Sequence, residues 1–525
     1  MSKIRLNLAM RLVLVFLFFF LIFFAVHLSV NGFWSTDDPY YHAKHSLLIA
    51  QTGNPTLVLP WIKFHFFTYA PTDPWWGYHV ISALFIRLSD VYLGVKTLTA
   101  VLASLVMVVF YFLVERLGAK RPFIWTLLFF FSSSYFQFRL FLERPFVLAL
   151  SILPLAAWLI HRKKNIWLFF LSLVFALLYN LAALTVFLCG IYLVAEYLIT
   201  RKVDFRPIIA SSAGVLAGII LHPQSLNYLF VIFVHFFEIL YLRFSGTDLG
   251  IGSEVQSIDF FQTLAYNVLA IVVYTAAVAI YAAQKDLRKE SVLSLFLLLV
   301  SGFWFMLMLV VPRAADFWVP FAWLFSISVF LHLSRSQDFT TAKNFITKKF
   351  DYKWISLFLF VAIMVLVFNN FAQIAGYRYR RLAEAREDRY WQEANDWLKA
   401  NSRKGDIVFY DIWSYWPRMF FYNDYNTYVV GVDPTFLYDY DHELFWSWFN
   451  MTKRGIFCDR QDECPEISQK DKLKLIAPAI KQRFGAEYVL VENEIRGSFS
   501  KILSVKKDDF TKVYENKKLL IYRVR

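Results

Sequence analysis

Long apolar runs separated by short polar segments fill the first 374 residues of the chain. The first run extends from Ala9 to Val30, and ten more lie at 93–114, 122–138, 145–160, 165–179, 181–199, 207–221, 260–283, 291–311, 317–334 and 353–374. The hydrocarbon core of a bilayer needs about 20 mostly apolar residues per helix. The pattern therefore predicts about eleven transmembrane helices, forming a polytopic α-helical membrane domain over residues 1–374.

Two apolar segments need a separate interpretation. The first run is longer than the apolar region of a secretory signal peptide, which has about 7–15 residues. No small-residue cleavage site follows this run, so we interpret it as a retained anchor. The segment Tyr228–Leu242 carries His235 and Glu238, and we interpret it as a re-entrant or interfacial helix.

Residues 375–525 show a different pattern. From Arg378 to Asn401 the chain is polar, with apolar residues at roughly helical spacing, which predicts a helix. Short runs rich in β-branched and aromatic residues predict strands, at Asp406–Tyr410, Tyr428–Val432, Glu487–Val491, Lys512–Tyr514 and Leu519–Val524. We therefore expect a small soluble α/β domain after the last transmembrane helix.

The composition excludes several classes of protein. Of the 525 residues, 58% are hydrophobic and only 18% are charged, and the mean hydropathy is +0.47. Average soluble domains are about 45–50% apolar and about 25% charged. An ordinary soluble protein, a disordered protein and a disulfide-rich scaffold are therefore all excluded.

Membrane topology explains the net charge of +14. If the N-terminus is cytoplasmic, the loops on that side hold 20 Lys and Arg residues, and the opposite loops, with 31–96 counted whole, hold 8. Short cytoplasmic loops of membrane proteins carry such an excess. We therefore expect a plasma-membrane protein with a cytoplasmic N-terminus and an extracytoplasmic C-terminal domain, and no nucleic-acid partner.

The three cysteines fall in both regions. Cys189 lies in a predicted span, and we interpret it as a packing residue. Cys458 and Cys464 share one loop of the C-terminal domain, and an extracytoplasmic location permits a disulfide between them. The sequence leaves open whether this bridge forms, and a zinc site needs more ligands than the loop supplies.

The first outer loop carries an unusual group of polar residues. It begins FWSTDDPYYHAKH, so Asp37 and Asp38 lie beside His42 directly after the first span. Adjacent carboxylates with a histidine suit a hard divalent cation such as Mg²⁺ or Mn²⁺, which prefers oxygen ligands. The alternative is a capped helix start, with Ser35, Thr36 or Asp37 at the N-cap.

Two other outer segments place carboxylates near the membrane, where ionisable residues are costly and usually have a partner. The segment FRLFLERPFVLAL holds Glu143 and Arg144, and its alternative interpretation is an ion pair of Glu143 with Arg139 or Arg144. Glu254 follows a glycine-containing loop. That loop either becomes ordered on substrate or is an ordinary solvated loop.

Arg313 lies at the outer end of another predicted span. A guanidinium at that depth can hold a phosphate through two hydrogen bonds. The alternatives are that the side chain extends to the interface or pairs with Asp316.

These motifs and their order resemble the GT-C class of membrane glycosyltransferases, above all the catalytic subunit of archaeal-type oligosaccharyltransferases. In that family an Asp-Pro-Tyr/Trp-Tyr-His motif follows the first span. DDPYYH matches it and places the metal-binding aspartate on Asp38. The resemblance implies a metal site of Asp38, Glu143 and Glu254 that holds Mg²⁺ or Mn²⁺, and a phosphate contact at Arg313.

The chain departs from the family pattern at several points. Glu143 alone stands where the family has a second acidic motif, and Glu254 lacks the Ser or Thr three positions before it. The family's Trp-Trp-Asp-Tyr-Gly motif, which reads the acceptor sequon, has only the aromatic stretch with Trp413, Tyr415 and Trp416 as a counterpart. The resemblance thus suggests sugar-binding aromatic residues and gives no support for recognition of Asn-x-Ser/Thr.

The function implied by the resemblance is inverting transfer of a sugar or glycan. The donor would be a polyprenyl phosphate or diphosphate in the bilayer, and the acceptor a protein, lipid or glycan on the outer face. The site residues implied are, for catalysis, Asp37, Asp38 and Glu254, and, for substrate binding, His42, Arg144, Arg313, Trp413, Tyr415 and Trp416. The alternatives are a transporter or lipid-linked sugar flippase, which would place its ionisable residues near the membrane midplane, and a non-catalytic protein of GT-C type.

Overall fold

The chain divides into two units in the computed structural model, and each unit combines separate stretches of sequence. The structure describes residues 7–35, 37–234, 237, 241–242, 249–250, 260–335, 352–461, 464–494 and 497–525. We call residues 1–29, 96–222 and 253–380 the helical unit. Residues 30–95, 223–252 and 381–525 form what we call the mixed unit.

The described part of the helical unit is built from α-helices. They are Leu8–Leu28, Val91–Arg116 (from Lys96 onwards), Pro122–Phe130, Ser134–Leu140, Phe146–His161, Asn165–Leu178, Ala183–Thr200, Arg206–Leu221, Phe260–Tyr266, Val268–Ala283, Lys285–Glu290, Val292–Met308, Ala315–Leu333 and Tyr352–Ala385 (up to Arg380). A 3₁₀ turn at Pro312–Ala314 leads into the helix that begins at Ala315.

Five helices in the described residues are long and apolar enough to cross a membrane, at Leu8–Leu28, Val91–Arg116, Ala183–Thr200, Pro312–Leu333 and Phe360–Asn401. A sixth span results if the bent pair Phe260–Tyr266 and Val268–Ala283 is counted as one. Other apolar helices, such as Asn165–Leu178 with 14 residues, rise about 1.5 Å per residue and are shorter than the roughly 30 Å hydrocarbon core. The chain is an integral membrane protein, but the expected count of eleven spans is not confirmed.

Two glycines allow the helices Asn165–Leu178 and Arg206–Leu221 to pack with their backbones in contact. A Cβ atom at Gly214 would lie 2.3 Å from the carbonyl oxygen of Phe169, and one at Gly218 would meet a similar contact at 2.7 Å. Small residues four positions apart produce such close approaches between membrane helices, because van der Waals packing drives helix association in lipid.

A five-stranded sheet forms the centre of the mixed unit. Its strands are β1 (Ile407–Tyr410), β2 (Thr427–Tyr428), β3 (Ala486–Glu492), β4 (Phe510–Glu515) and β5 (Leu519–Val524), in the order β2-β1-β3-β5-β4. β1 is parallel to β2 and β3, whereas β5 is antiparallel to β3 and β4. The described α-helices of this unit are Asp38–Thr52, Trp76–Arg87, Ser225–Phe233, Asp388–Asn401, Trp416–Tyr422, Thr435–Tyr440, His442–Phe449, Gln469–Lys474, Ile476–Pro478 and Ser498–Val505.

The strands confirm the predicted α/β character of the C-terminal region. Four of them match the predicted runs closely, and β2 is shorter than predicted because the chain turns away after Tyr428. A turn at Glu515-Asn516-Lys517, which the sequence indicates between the two predicted strands, joins β4 to β5. In it, the side-chain oxygen of Asn516 accepts hydrogen bonds from the backbone N–H groups of Lys518 and Leu519, at 3.0 and 2.8 Å.

The first outer loop extends this sheet at its β2 edge. The backbone N–H of Tyr428 donates to Trp61 at 2.7 Å, and the N–H of Lys63 donates to Tyr428 at 2.8 Å. Ile62 and Phe66 are buried in the same hydrophobic core as the strands. Residues from the first loop and from the C-terminal region therefore fold as parts of one unit.

The cysteines behave differently in the two units. Cys458 and Cys464 form a disulfide, which settles the alternative that the sequence left open. Cys189 is a free, buried cysteine in the helix Ala183–Thr200, in agreement with the packing role expected for it.

Candidate active site

The first outer loop begins with the helix Asp38–Thr52 of the mixed unit. Pro39 in its first turn and Gly53 after its last turn, with φ of 69°, are typical of helix ends. Asp37 occupies the N-cap position, but among the described residues its side chain makes no capping hydrogen bond. Capping therefore does not account for Asp37, and Asp38 lies in the first turn, where the helix dipole favours an anion.

One face of this helix carries four side chains capable of chemistry. Asp38, Tyr41, His42 and His45 have the spacing that aligns residues along one face of an α-helix. The pKa of Tyr41 is raised well above its ordinary value, first because burial disfavours the phenolate, and then because the charges of Asp73 and Asp38 lie nearby. Tyr41 is thus a neutral hydroxyl under the influence of two carboxylates.

Asp433 is a second carboxylate of the mixed unit, and the charge of Asp38 acts on it. Its pKa is raised to about 6, chiefly because of burial, with a further increase from the charge of Asp38. Hydrogen bonding with Thr435, whose backbone N–H donates to Oδ1 at 2.8 Å, opposes this rise. Two neighbouring carboxylates with one raised pKa are an arrangement found in acid–base catalysis.

A strained turn holds Asp433 in place. Val432 has φ of 63°, and the backbone N–H of Asp433 donates to the carbonyl of Gly431 at 2.7 Å, closing a three-residue γ-turn. Positive φ is unusual for a β-branched residue, and strain of this kind concentrates at functional sites. At Gly431 a Cβ atom would lie 2.7 Å from the ring of Trp416. The sequence analysis missed Asp433, although its Gly-Val-Asp-Pro context marks a turn.

Three buried residues of the mixed unit can hold a metal ion. His45, Asp73 and His79 offer ligand atoms that all lie within 4.8 Å of one another. The Oδ2 atom of Asp73 lies 2.7 Å from Nδ1 of His79 and 3.8 Å from Nε2 of His45. The other ring nitrogen of His79 lies 2.8 Å from Nδ1 of His42. The sequence analysis did not assemble this group, because Asp73 and His79 follow the irregular part of the loop.

The surroundings of this group set its protonation states at neutral pH, and Nε2 of His45 also lies 3.0 Å from the backbone carbonyl oxygen of Leu57, which accepts its N–H. Burial raises the pKa of Asp73, but the neighbouring His79 and His45 and the backbone N–H of Trp75 outweigh it, so that the net shift is downward. Burial lowers the pKa of His45 to about 4. At pH 7 Asp73 is therefore ionised and His45 is neutral.

A buried polar cluster fixes the start of the helix Asp38–Thr52. The hydroxyl of Tyr40 donates a hydrogen bond to Asp388 and accepts one from Arg381 Nη2 at 3.0 Å. Arg381 Nε also donates to the backbone carbonyl of Phe33 at 2.6 Å. These contacts hold the residues on either side of Asp38 against the C-terminal part of the mixed unit.

The expected sugar-binding aromatic residues have different environments. Trp416 is fully buried and stacks on Phe420, with ring centres 5.2 Å apart. Trp413 and Tyr415 are half-buried, and the indole N–H of Trp413 donates to the carbonyl of Gly250 at 2.9 Å. Trp416 thus packs in the protein core, whereas Trp413 and Tyr415 keep part of their surface accessible.

In the helical unit, the predicted acidic residue Glu143 is fully buried beside His27. Its Oε1 atom lies 3.2 Å from Nδ1 of His27. Arg144, which follows it, is also buried. Glu143 therefore lies beside a histidine of the helix Leu8–Leu28. The sequence had suggested Arg139 or Arg144 as its partner.

A second buried pair in the helical unit joins Arg139 to Asp316. Arg139 Nε lies 3.1 and 3.0 Å from the two carboxylate oxygens, and both side chains are 1% exposed. The guanidinium groups of Arg139 and Arg313 lie 4.0 and 5.9 Å from the ring centre of Phe146. Arg313 therefore takes part in a cation–π contact within its own unit.

The predictions for Glu254 and for the re-entrant segment Tyr228–Leu242 concern residues that lie wholly or partly outside the described part of the chain. Glu254 lies outside the described residues, as do His235 and Glu238 of the predicted re-entrant segment. The first residues of the segment, from Tyr228 to Phe233, belong to the helix Ser225–Phe233. The catalytic and metal-binding roles of Glu254 remain predictions.

No model of a known protein family matches the chain, and no curated protein matches it in sequence. Solved structures match it in fold. The oligosaccharyltransferase of Archaeoglobus fulgidus tethered to an acceptor peptide with the NVT sequon has a TM-score of 0.55 and 12% identity, over 91% of this chain and 69% of that chain. The same oligosaccharyltransferase in complex with Zn and sulfate has a TM-score of 0.54 and 11% identity, over 94% and 71%.

A shorter protein matches over almost its whole length. ArnT from Cupriavidus metallidurans bound to undecaprenyl phosphate has a TM-score of 0.52 and 10% identity, over 97% of both chains. At such identities a structural match shows the fold alone. The chain therefore has the fold of the GT-C glycosyltransferases, as the sequence motifs implied.

Proposed function

We propose that the protein is a membrane glycosyltransferase that moves a sugar or glycan from a polyprenyl phosphate or diphosphate to an acceptor. The observation that carries the proposal is the position of Asp38 in a chain of GT-C fold. It opens the helix after the first apolar span, in the motif DDPYYH, and its charge acts on the desolvated carboxylate of Asp433. The bound undecaprenyl phosphate and acceptor peptide of the solved structures support a lipid-linked donor and a separate acceptor.

In this proposal Asp433 is the general base and Asp38 positions the acceptor. Asp433, with a pKa of about 6, is ionised at neutral pH and accepts the proton of the attacking acceptor group. Asp38 orients that group, with Asp37 beside it. Attack on the anomeric carbon opposite the leaving phosphate inverts the configuration of the sugar.

Asp38 also suits a hard divalent cation, because Mg²⁺ and Mn²⁺ prefer oxygen ligands. In the proposal Asp38 holds the ion, and Glu143 and Glu254 stay predicted ligands from the family resemblance. A cation bound there would stabilise the negative charge that develops on the leaving phosphate.

The proposed substrate contacts are made by charged and by aromatic residues. Arg144 and Arg313 carry the charge that a lipid-linked phosphate requires. His42, Trp413 and Tyr415 are proposed to contact the sugar or the acceptor, and Trp416 supports them from the core. The reaction would take place on the extracytoplasmic side of the plasma membrane, where the sequence places the mixed unit.

The test is a transfer assay with the purified full-length protein, a panel of polyprenyl-linked sugar donors, and added Mg²⁺ or Mn²⁺. Asp38→Asn is expected to lower transfer by about 10²-fold or more, with the same thermal unfolding as the parent protein. The matched control is Asp396→Asn, because Asp396 is exposed and pairs only with Lys399 in the contacts described. Equal activity of Asp38→Asn and the parent would contradict the proposal.

A further inference from the structure

The buried group of His45, Asp73 and His79 is a separate site from the carboxylates proposed for sugar transfer. Asp73 precedes the helix Trp76–Arg87, which carries His79, and His45 lies on the helix Asp38–Thr52. All three side chains are fully buried. A transition-metal ion that binds all three would connect two helices and the loop between them.

We propose that His45, Asp73 and His79 bind one zinc-class transition-metal ion, which clamps these two helices together. The ligand types fit such an ion. Two imidazoles and one carboxylate are nitrogen and oxygen donors that suit Zn²⁺ and its neighbours, whereas Mg²⁺ and Ca²⁺ prefer sites made of oxygen alone. A water molecule would complete the four-coordinate shell of the ion.

Ligand spacing gives a second argument. Zinc bound at about 2.0–2.2 Å to nitrogen and oxygen requires ligand atoms somewhat more than 3 Å apart. Asp73 Oδ2 lies 2.7 Å from His79 Nδ1 and 3.8 Å from His45 Nε2, so the observed distances lie on both sides of that value. Small side-chain rotations would place all three atoms around one ion, provided that His45 Nε2 exchanges its hydrogen bond to the carbonyl oxygen of Leu57, 3.0 Å away, for the metal.

The surroundings of the ligands give a third argument. Metal-bound histidines usually use their second ring nitrogen in a hydrogen bond that fixes the ring. His79 does this with His42, at 2.8 Å. Asp73 uses its second oxygen, Oδ1, to accept a hydrogen bond from the backbone N–H of Trp75 at 3.0 Å. The ligand atoms of His79 and Asp73 are therefore held in position by neighbouring groups.

Charge gives the fourth argument. A buried carboxylate is costly unless a positive charge or several hydrogen bonds compensate it. Asp73 lies beside two histidines and accepts a hydrogen bond from one backbone N–H. A divalent ion would add a positive charge beside this carboxylate. It would also fix the helix on which Asp38 lies two turns before His45, so that the metal acts by positioning and not by contact with substrate.

The first experiment measures metal in the full-length protein purified in detergent without added metal or chelator. About one zinc-class ion per chain is expected after desalting or after reconstitution with Zn²⁺ and a second desalting. Asp73→Asn and His79→Gln should lose most of it. His42→Leu should weaken binding by about 10- to 100-fold, as expected for a partner of a metal-bound histidine. His442→Gln, an exposed histidine of the same unit, is the matched control and should retain the metal.

A second measurement does not depend on the variants folding. Replacement by Co²⁺ in the parent protein should give the visible absorption of a four-coordinate site, and an excess of Zn²⁺ should abolish it. Absence of bound metal after reconstitution, or equal metal in Asp73→Asn and the parent, would overturn the proposal. Asp73, His79 and His42 would then form a hydrogen-bonded chain only. Because Asp38→Asn should keep the metal while losing transfer, the two proposals can fail separately.

Discussion

The helical unit and the mixed unit each contain a desolvated carboxylate, in contrasting environments. In the helical unit Asp316 pairs with the guanidinium of Arg139. The mixed unit has complementary contacts too, such as Asp73 with His79, but its Asp433 has a pKa raised to about 6, chiefly because of desolvation. An opposite charge stabilises a buried carboxylate, whereas desolvation shifts a pKa towards the range useful for catalysis. The difference suggests a structural role for the Arg139–Asp316 pair and a chemical role for Asp433.

The largest effect that would test this comparison is on the rate of transfer in Asp433→Asn. Loss of a general base is expected to lower kcat by about 10²- to 10⁴-fold, with little change in thermal unfolding. The measurement is the initial rate with saturating donor and acceptor. Tyr425→Phe, at an exposed position of the same unit, serves as the control for general damage.

The pH dependence of the parent enzyme sharpens this prediction. Because the folded pKa of Asp433 is about 6, its base form is present above pH 6 and is lost as the pH falls below that value. Activity should therefore decrease about tenfold per pH unit below pH 6, and Asp433→Asn should lack this limb. If the decrease in activity below pH 6 persists unchanged in Asp433→Asn, the group that titrates is not Asp433.

In the helical unit, the largest effect should be on stability. Asp316→Ala leaves Arg139 buried without its carboxylate and is expected to lower the free energy of unfolding by about 3–5 kcal/mol, measured by thermal or denaturant unfolding in detergent. The double variant Arg139→Met with Asp316→Leu removes both charges and should recover most of this loss. Recovery of stability without recovery of activity would show that the pair also serves the reaction.

A smaller effect is expected at the polar cluster of the mixed unit. Tyr40→Phe removes a hydroxyl that bonds to Asp388 and Arg381, and it should cost about 1.5–3 kcal/mol. Thermal unfolding measures this loss. If the cluster only anchors the helix, the folded fraction of Tyr40→Phe should keep most of its transfer activity. A rate as low as that of Asp38→Asn would instead indicate that Tyr40 takes part in the reaction.

The smallest effect concerns packing between apolar helices. Gly214→Ala places a methyl group against the backbone of Phe169 and should cost about 1–3 kcal/mol. Gly190→Ala is the matched control, because a Cβ atom at Gly190 has nothing within 4 Å. If both variants unfold at the same temperature, the close contact of the two helices does not contribute to the stability of the helical unit.

Local patterns predicted much of the architecture. The runs of β-branched and aromatic residues in β3 and β5, and the turn at Asn516, follow from propensities that act over a few residues, and the structure confirms these elements. The transmembrane helices were harder to count. An apolar run of 14 residues forms a helix, but its length does not decide whether it crosses a bilayer.

The candidate site was only partly predictable. Asp38 was found because its motif is contiguous, whereas Asp433 lies in a distant turn. The group of His45, Asp73 and His79 was missed for a related reason, since His45 was visible beside the motif but Asp73 and His79 follow an irregular segment. Contacts between residues far apart in sequence leave no local pattern.

The sequence by itself determined the membrane character of the chain, the strands of the C-terminal region, and the resemblance to GT-C glycosyltransferases, because each depends on composition or on short contiguous motifs. Only the tertiary structure decided that residues 30–95 fold into one unit with residues 381–525. It also decided which charges are paired and which lie beside a like charge. Burial and distance set these energies, and both arise only when separate segments pack together.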